Sequence, residues 1–297
     1  VIDEFRKDAL LDKLVFDNTV KPQGGSSLTY SYNRVTTQPT AAGRAINSEH
    51  VAQETQTTPV SVNLKPFGGS FQLDRVIIRG EWQVVADHIK FQAEQKIKAT
   101  RALFSDWFIN GDSAVTATSF DGLSKAITGS STEVTPTVAI DLSTSTLIDT
   151  NWKVFLDNLR KLRSKLDGAP TIYFMNSDTF SVFQSVMDRA GINLASKDNY
   201  GDEVLQWGSS LVMSLGDKPG TANPIIPIEI GETYIYPARI GLDGVHGVSL
   251  DGNKLVDLYL PDMEAPGAVK TGEVEMVGAV AVKATKSAGA LRKIKIA

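Results

Sequence analysis

Residues 81–112 read EWQVVADHIKFQAEQKIKATRALFSDWFINGD, and this stretch sets the architecture. Val85, Ile89, Ala93, Ile97, Phe104 and Phe108 recur mostly every fourth residue, which places them on one stripe of an α-helix over 81–109. Trp82 and Trp107 stand at its two ends. Four acids (Glu81, Asp87, Glu94, Asp106) balance four bases (Lys90, Lys96, Lys98, Arg101) on the remaining faces. Asn110-Gly111 supplies residues that accept the left-handed conformation, so the helix stops there. At 1.5 Å per residue it would be about 43 Å long. That exceeds the usual three or four turns and points to an elongated body.

Upstream, Phe5, Ala9, Leu10 and Leu14 predict a short amphipathic helix over 2–14, closed by Pro22, Gly24 and Gly25. Helices this short are marginal alone, so it reads as an arm lying on something else. Alternation at Leu28–Tyr32, at Val60, Val62 and Leu64, and at Phe71, Leu73 and Val76–Ile78 predicts strands. Between the first two lies a polar stretch, Thr36–Thr58, whose only large apolar residues are Ile46 and Val51. Ordering each backbone unit costs ~1–2 kcal/mol. Two buried aliphatics return about 1.5–3 kcal/mol each. The segment therefore either stays loose or rests on a partner.

Downstream, Phe120-Asp-Gly-Leu123 is a turn with apolar anchors, and 124–150 reads as Ser/Thr-rich loop with short strands. Trp152, Phe155, Leu156, Leu159, Leu162 and Leu166 predict a helix over 151–166, capped by Asp149, Thr150 or Asn151. The cations Arg160, Lys161, Arg163 and Lys165 suit the negative end of its dipole better than a phosphate site. Thr171–Met175 is a buried strand. Asn176 or Ser177 caps a third helix bearing Phe180, Phe183, Met187 and Ala190, which Gly191 closes. Strands at 210–215, 225–230 and 233–236 would complete a small α/β unit. The last segment alternates again, at 255–260, at Val274, Met276, Val280 and Val282, and at Ile294 and Ile296.

Composition narrows the function classes. The chain has 297 residues, 42% apolar and 22% charged, with a net charge of −4. That length buries a large core unaided. It has no cysteine, which removes disulfides, thiolate metal sites and a thiol nucleophile. His50, His88 and His246 are far apart in sequence, so no paired-histidine zinc helix exists. No apolar run approaches a membrane span or a signal peptide. Nucleophile-elbow, phosphate-loop, dinucleotide and calcium-loop motifs are all absent. The glycines of Gly241–Gly247 fall every third residue, which reads as turn. Six bases against two acids make 270–297 +4, leaving −8 elsewhere. No aromatic interleaves these bases, so a solvated strand face is preferred to a nucleic-acid groove.

The order is arm, extended β-loop, very long helix, α/β unit and returning strands. Together with Phe108-Ile-Asn-Gly-Asp112, seven residues, then Phe120-Asp-Gly-Leu123, it resembles the major capsid proteins of tailed bacteriophages. Ile172-Tyr-Phe-Met-Asn-Ser177, and Tyr234-Ile-Tyr236 with Asp243-Gly-Val-His-Gly247, are similar to pieces of that family. Encapsulins and herpesvirus capsid floor domains share its fold. The resemblance implies an α+β chain with an N-terminal arm (1–27), an extended β-loop (28–80), a peripheral domain (81–119 and 251–297, spine helix and long strands) and an α/β axial domain (120–250). It implies a structural protein with no catalytic residue, metal or cofactor. Such a protein assembles as hexamers and pentamers into the icosahedral head of a double-stranded DNA phage, in the bacterial cytoplasm. Its partners would be copies of itself, portal, scaffolding and decoration proteins, and DNA held without sequence specificity; an acidic shell lets the genome slide. The start at Val1 fits maturation cleavage, and a trimmed chain fits equally.

The implied intersubunit contacts are Phe5 and Leu10 in the arm, Pro39, Arg44, Ile46, Glu49 and Val51 in the loop, and Lys65. Some relatives join a loop lysine to a neighbour's asparagine. Here that pair would be Lys65 and Asn253, beside a buried carboxylate such as Glu273 or Glu275. Two other readings remain. An encapsulin cage would need an apolar groove for a cargo peptide, and the long polar loop and the Ser/Thr-rich stretch favour the phage over it. A soluble hydrolase or carbohydrate-active domain would use carboxylates such as Asp121, Asp178 or Asp243, each of which has a cap or turn explanation.

Overall fold

The computed structural model describes residues 10–19, 27–78, 82–192, 195–197, 203–250, 255–264 and 266–297. The helix predicted from the stripe runs Trp82–Asn110. Its C-terminal half is the centre of the molecule, with Phe104, Phe108 and Ile109 fully buried. Earlier along it, Ile89 and Ala93 meet Phe71 and Leu73 in a smaller cluster.

This helix lies against a five-stranded sheet. Its longest member, Val269–Val282, pairs antiparallel with Lys65–Asp74, in register from Lys65↔Gly278 to Asp74↔Val269. On its other side it carries Val245–Ser249 and the short Asp257–Tyr259. Phe16–Asn18 closes the sheet, parallel to Val245–Ser249. Alternation along Val269–Val282 buries Val274 and Met276 and leaves Glu273 exposed, as the two-residue period of a strand requires.

A second sheet of eight strands holds Ile172–Met175 near its centre, between Ser210–Ser214 and Glu232–Ala238. Tyr173 and Met175 face a cluster built by helices Ser145–Lys165 and Ser177–Arg189. Ile172 and Phe174 face the opposite cluster, which contains the end of the long helix. A strand covered on both faces reads as an unbroken apolar run, which is why Ile-Tyr-Phe-Met is buried throughout.

Several expectations shift. The second helix begins at Ser145, six residues before the expected start. Thr144 caps it, its side-chain oxygen accepting from the Leu147 N–H at 3.3 Å. The Ser/Thr run that reads as loop is thus a cap followed by a first helical turn. The expected strand at 225–230 is irregular; Ile225 and Ile226 are buried without a ladder. The final strand, Ala290–Lys295, joins the eight-stranded sheet beside Glu232–Ala238, whereas Val245–Ser249 joins the five-stranded one. The boundaries at 250 and 251 therefore do not follow the sheets, because pairing partners are set by contacts remote in sequence. The arm also differs from expectation where it is described. Leu10, Leu11 and Leu14 pack into the main core, and Asp12 pairs with Arg101 at 2.7 Å, so this part lies on its own long helix. Residues 2–9 of that predicted helix lie outside the described residues.

Candidate intersubunit surface

Strands Thr29–Thr37 and Gln56–Asn63 form an isolated two-stranded hairpin. The ladder runs further into the polar stretch than apolar alternation predicts. Backbone pairing needs no apolar side chain, and Thr36, Thr37, Thr57 and Thr58 suit extended backbone. Beyond it lies the tip, 38–55, in which every residue is exposed.

The base of this hairpin is fixed. Tyr32 Oη donates to the Val282 carbonyl at 2.8 Å, and Arg34 donates to the carbonyls of Val282 (2.7 Å) and Lys283 (3.0 Å). Tyr30 Oη donates to Asp17 at 2.7 Å, and the Tyr30 ring meets His246 edge-on at 5.7 Å. Tyr30, Tyr32 and Arg34 share one face of the strand. Sequence reading missed them as anchors, although their two-residue spacing was the available signal.

The tip has no such attachment. Ile46 is 91% and Val51 85% exposed, and Pro39, Arg44 and Glu49 are exposed with them. Its described hydrogen bonds are local: Gln53 accepts from Thr40, and Arg44 donates to the carbonyls of Ala45 and Ser48. The structure thus gathers Pro39, Arg44, Ile46, Glu49 and Val51 on one projection. Leu10 is 1% exposed and serves its own chain's core, while Phe5 lies outside the described residues. Lys65 is at the root, its ammonium donating to the Ala117 carbonyl at 2.8 Å. Asn253 lies outside the described residues. Glu273 is exposed and Glu275 half-buried, so neither supplies a buried carboxylate beside Lys65 within the chain.

The Asn-Gly-Asp…Phe-Asp-Gly-Leu run is a structural buckle. Lys125 bridges Asp112 at 2.6 Å and Asp121 at 3.0 Å. Asp112 also accepts from the Ala114 N–H, and Asp121 from the Ser113 N–H. The Lys125 ammonium and the Ala114 amide hold Asp112 below the ordinary carboxylate value. Burial pushes Asp121 up, but Ser113 and Lys125 outweigh it and the net shift is downward. Gly111 and Gly122 permit the closure: a Cβ on Gly111 would lie 2.2 Å from the Phe120 carbonyl oxygen, and one on Gly122 2.4 Å from that of Trp107. Behind the buckle, Phe67, Phe104, Trp107 and Phe120 pack with ring centroids 5.2–6.2 Å apart.

Among the described residues no group of three or more His, Asp or Glu side chains is placed to hold a metal ion. Asp121 belongs to the buckle, Asp178 to the first turn of a helix, and Asp243 pairs with Arg239 at 3.2 Å, so these three carboxylates do not converge. The basic C-terminal stretch is largely engaged within the chain: Arg292 with Glu133, Lys295 with Asp141 at 3.2 Å, and Lys283 over the Tyr30 ring. Of the basic helix end, Arg163 lies over Trp207 and Lys165 donates to the Glu133 carbonyl. No described helix is long and apolar enough to cross a membrane.

No family model and no curated protein matches the sequence. Solved structures do match the fold. The holo-SrpI encapsulin complex from Synechococcus elongatus PCC 7942 superposes with a TM-score of 0.71 at 15% identity, covering 99% of this chain and 90% of that one. The capsid of a native GTA particle gives 0.62 at 13% identity, over 99% and 93% of the two chains. The capsid of Myoviridae phage XM1 gives 0.61 at 9% identity, over 99% and 94%. The chain therefore has the α+β shell fold common to tailed-phage capsids and an encapsulin.

Proposed function

We propose that this chain is a shell-building subunit that assembles with copies of itself into a closed particle. One observation carries the reading. The hairpin tip, 38–55, projects with every residue exposed and with two large aliphatics, Ile46 and Val51, bare to solvent. A surface of this kind is stable in solution when repeated contacts between identical copies cover it.

The shell reading has finer parts. The particle is the icosahedral head of a tailed double-stranded DNA phage, built from hexamers and pentamers. The long helix with the five-stranded sheet acts as its peripheral domain, and the helices packed on the eight-stranded sheet, with that sheet, as its axial domain. The tip residues Pro39, Arg44, Ile46, Glu49 and Val51, and Phe5 of the arm, meet neighbouring subunits. Portal, scaffolding and decoration proteins are its partners, assembly takes place in the bacterial cytoplasm, and DNA is enclosed without sequence-specific contact. The role is structural, not enzymatic. The encapsulin cage is the second reading, favoured by the 0.71 superposition.

Sizing and negative-stain microscopy of the expressed protein test the main claim. Capsomers or megadalton particles are expected, and a solitary species near 32.1 kDa would overturn it and revive the soluble-domain reading. Nuclease-resistant double-stranded DNA inside tailed particles supports the phage head; cargo protein in its place supports the cage. A denaturing gel of the particles reports on the Lys65–Asn253 link, since a chain at monomer mass alone rules it out.

A further inference from the structure

His246 sits in Val245–Ser249 with 0% exposure, and among the described residues neither ring nitrogen has a partner at ordinary hydrogen-bond geometry. Buried polar groups are nearly always paired, so a doubly unpartnered imidazole needs an explanation. Three segments close over it. Tyr30 of the hairpin base meets the ring edge-on. Phe16–Asn18 runs alongside and brings Asp17, which accepts from Tyr30 Oη. Lys283, just past Val269–Val282, places its ammonium 5.4 Å from the Tyr30 ring centroid, and its carbonyl receives Arg34.

From this geometry we infer that His246 is an acid-sensitive latch: uncharged, it lets the hairpin base seat on the sheet, and protonation unseats that base. An imidazolium here would be an ion buried from solvent with no well-formed hydrogen bond to an acceptor among the described residues. Burial pushes the histidine below its ordinary value, and Lys283 pushes the same way. Asp17, and to a lesser degree weak hydrogen bonding to the backbone of Gly244 and Gly241, favour the charged form, but none of these contacts has the distance and angle of an ordinary hydrogen bond to the ring, and burial with Lys283 outweighs them. The sign follows. Once unseated, the ring titrates near the ordinary value of about 6.5. The seated form binds fewer protons, so the attachment is complete above that value and weakens as pH falls below it. The inference concerns contacts within one chain and stands whether or not the particle reading holds.

Hydrogen–deuterium exchange on the full-length protein, in whatever assembled state it is purified, tests the latch. Labelling at about pH 7.5 and about pH 5 brackets the histidine range, with exchange times scaled to the intrinsic rates. Protection of 28–34, 58–63 and 245–249 is expected to fall at the lower pH beyond what the intrinsic rates account for, by a factor that grows with the depression of the seated histidine. Strands 172–175 and 211–214 serve as internal standards and should hold. His246→Phe keeps an aromatic ring against Tyr30 and removes the titration, so its protection should be equal at both pH values. Unchanged protection in the wild type, or the same acid loss in His246→Phe, overturns the proposal. Should His246→Phe not fold, two charge variants decide: Lys283→Gln is expected to shrink the loss of protection at the lower pH and Asp17→Asn to enlarge it. A merely structural histidine leaves the acid loss of both variants equal to that of the wild type, and that result overturns the latch. Loss of particles with protection intact would bear on the assembly reading alone.

Discussion

The two ends of the hairpin obey different rules. At its base, Tyr30, Tyr32 and Arg34 each hydrogen-bond to the body of their own chain. At its tip, from residue 38 to 55, nothing is buried and no described hydrogen bond reaches beyond the tip. Base residues therefore contribute to folding, and tip residues contribute nothing that a single chain can use. A long protrusion held firmly at one end only is what the proposed contact with a second copy requires.

Removing the tip gives the largest expected effect. Deleting Pro39–Gln53 should abolish particle formation while the thermal unfolding of the body stays in place, read by sizing and calorimetry side by side. If normal particles still form, the difference between base and tip has no meaning for assembly. Next comes a change inside the body. Gly122→Ala puts a methyl group against the Trp107 carbonyl and should cost about 3 kcal/mol in chemical denaturation. A neutral result would show that the buckle yields easily. At the base, Arg34→Ala removes donations to two carbonyls and should cost ~1–2 kcal/mol, with faster amide exchange confined to the hairpin strands. Ile46→Ser at the tip should change folding stability by less than about 0.5 kcal/mol. Yet it should raise the protein concentration needed for assembly, as light scattering would report. Smallest is the acid response of the buckle. Asp112 and Asp121 titrate below the ordinary carboxylate value, so their contribution is present above about pH 4 and is lost as pH falls through their lowered values. Lys125→Met should flatten the stability profile there.

The same contrast governs what the sequence makes legible. Segments that bury one face against nearby chain write a period into their residues. Trp82–Asn110 and Ser177–Arg189 are readable for that reason, and Asn176 is recognisable as a cap, its side-chain oxygen accepting from the Thr179 N–H. Ser145–Lys165 loses its first turn to reading because Ser-Thr-Leu-Ile begins with residues that favour caps and turns equally. Ile225 and Ile226 mimic a strand because burial, not pairing, demands apolar residues there. The pairing of Phe16–Asn18 with Val245–Ser249 spans almost the whole chain, and no local pattern encodes it. The tip stands out only by lacking apolar residues. Its prominence is legible as a deficit, but any surface that would receive it is not, since no described contact from the body reaches it. His246 is one histidine among three in the sequence, and only three converging segments reveal its setting.

One residue, Leu64, separates the hairpin from Lys65–Asp74, and it is itself buried. Tension applied at the far end of the loop therefore arrives, along the backbone, at the start of the ladder with Val269–Val282. That ladder also holds the long helix in place. If the tip grips another copy as proposed, a tug there is not absorbed by a slack tether but is felt by the girder of the molecule, and strain at the rim becomes a load on its frame.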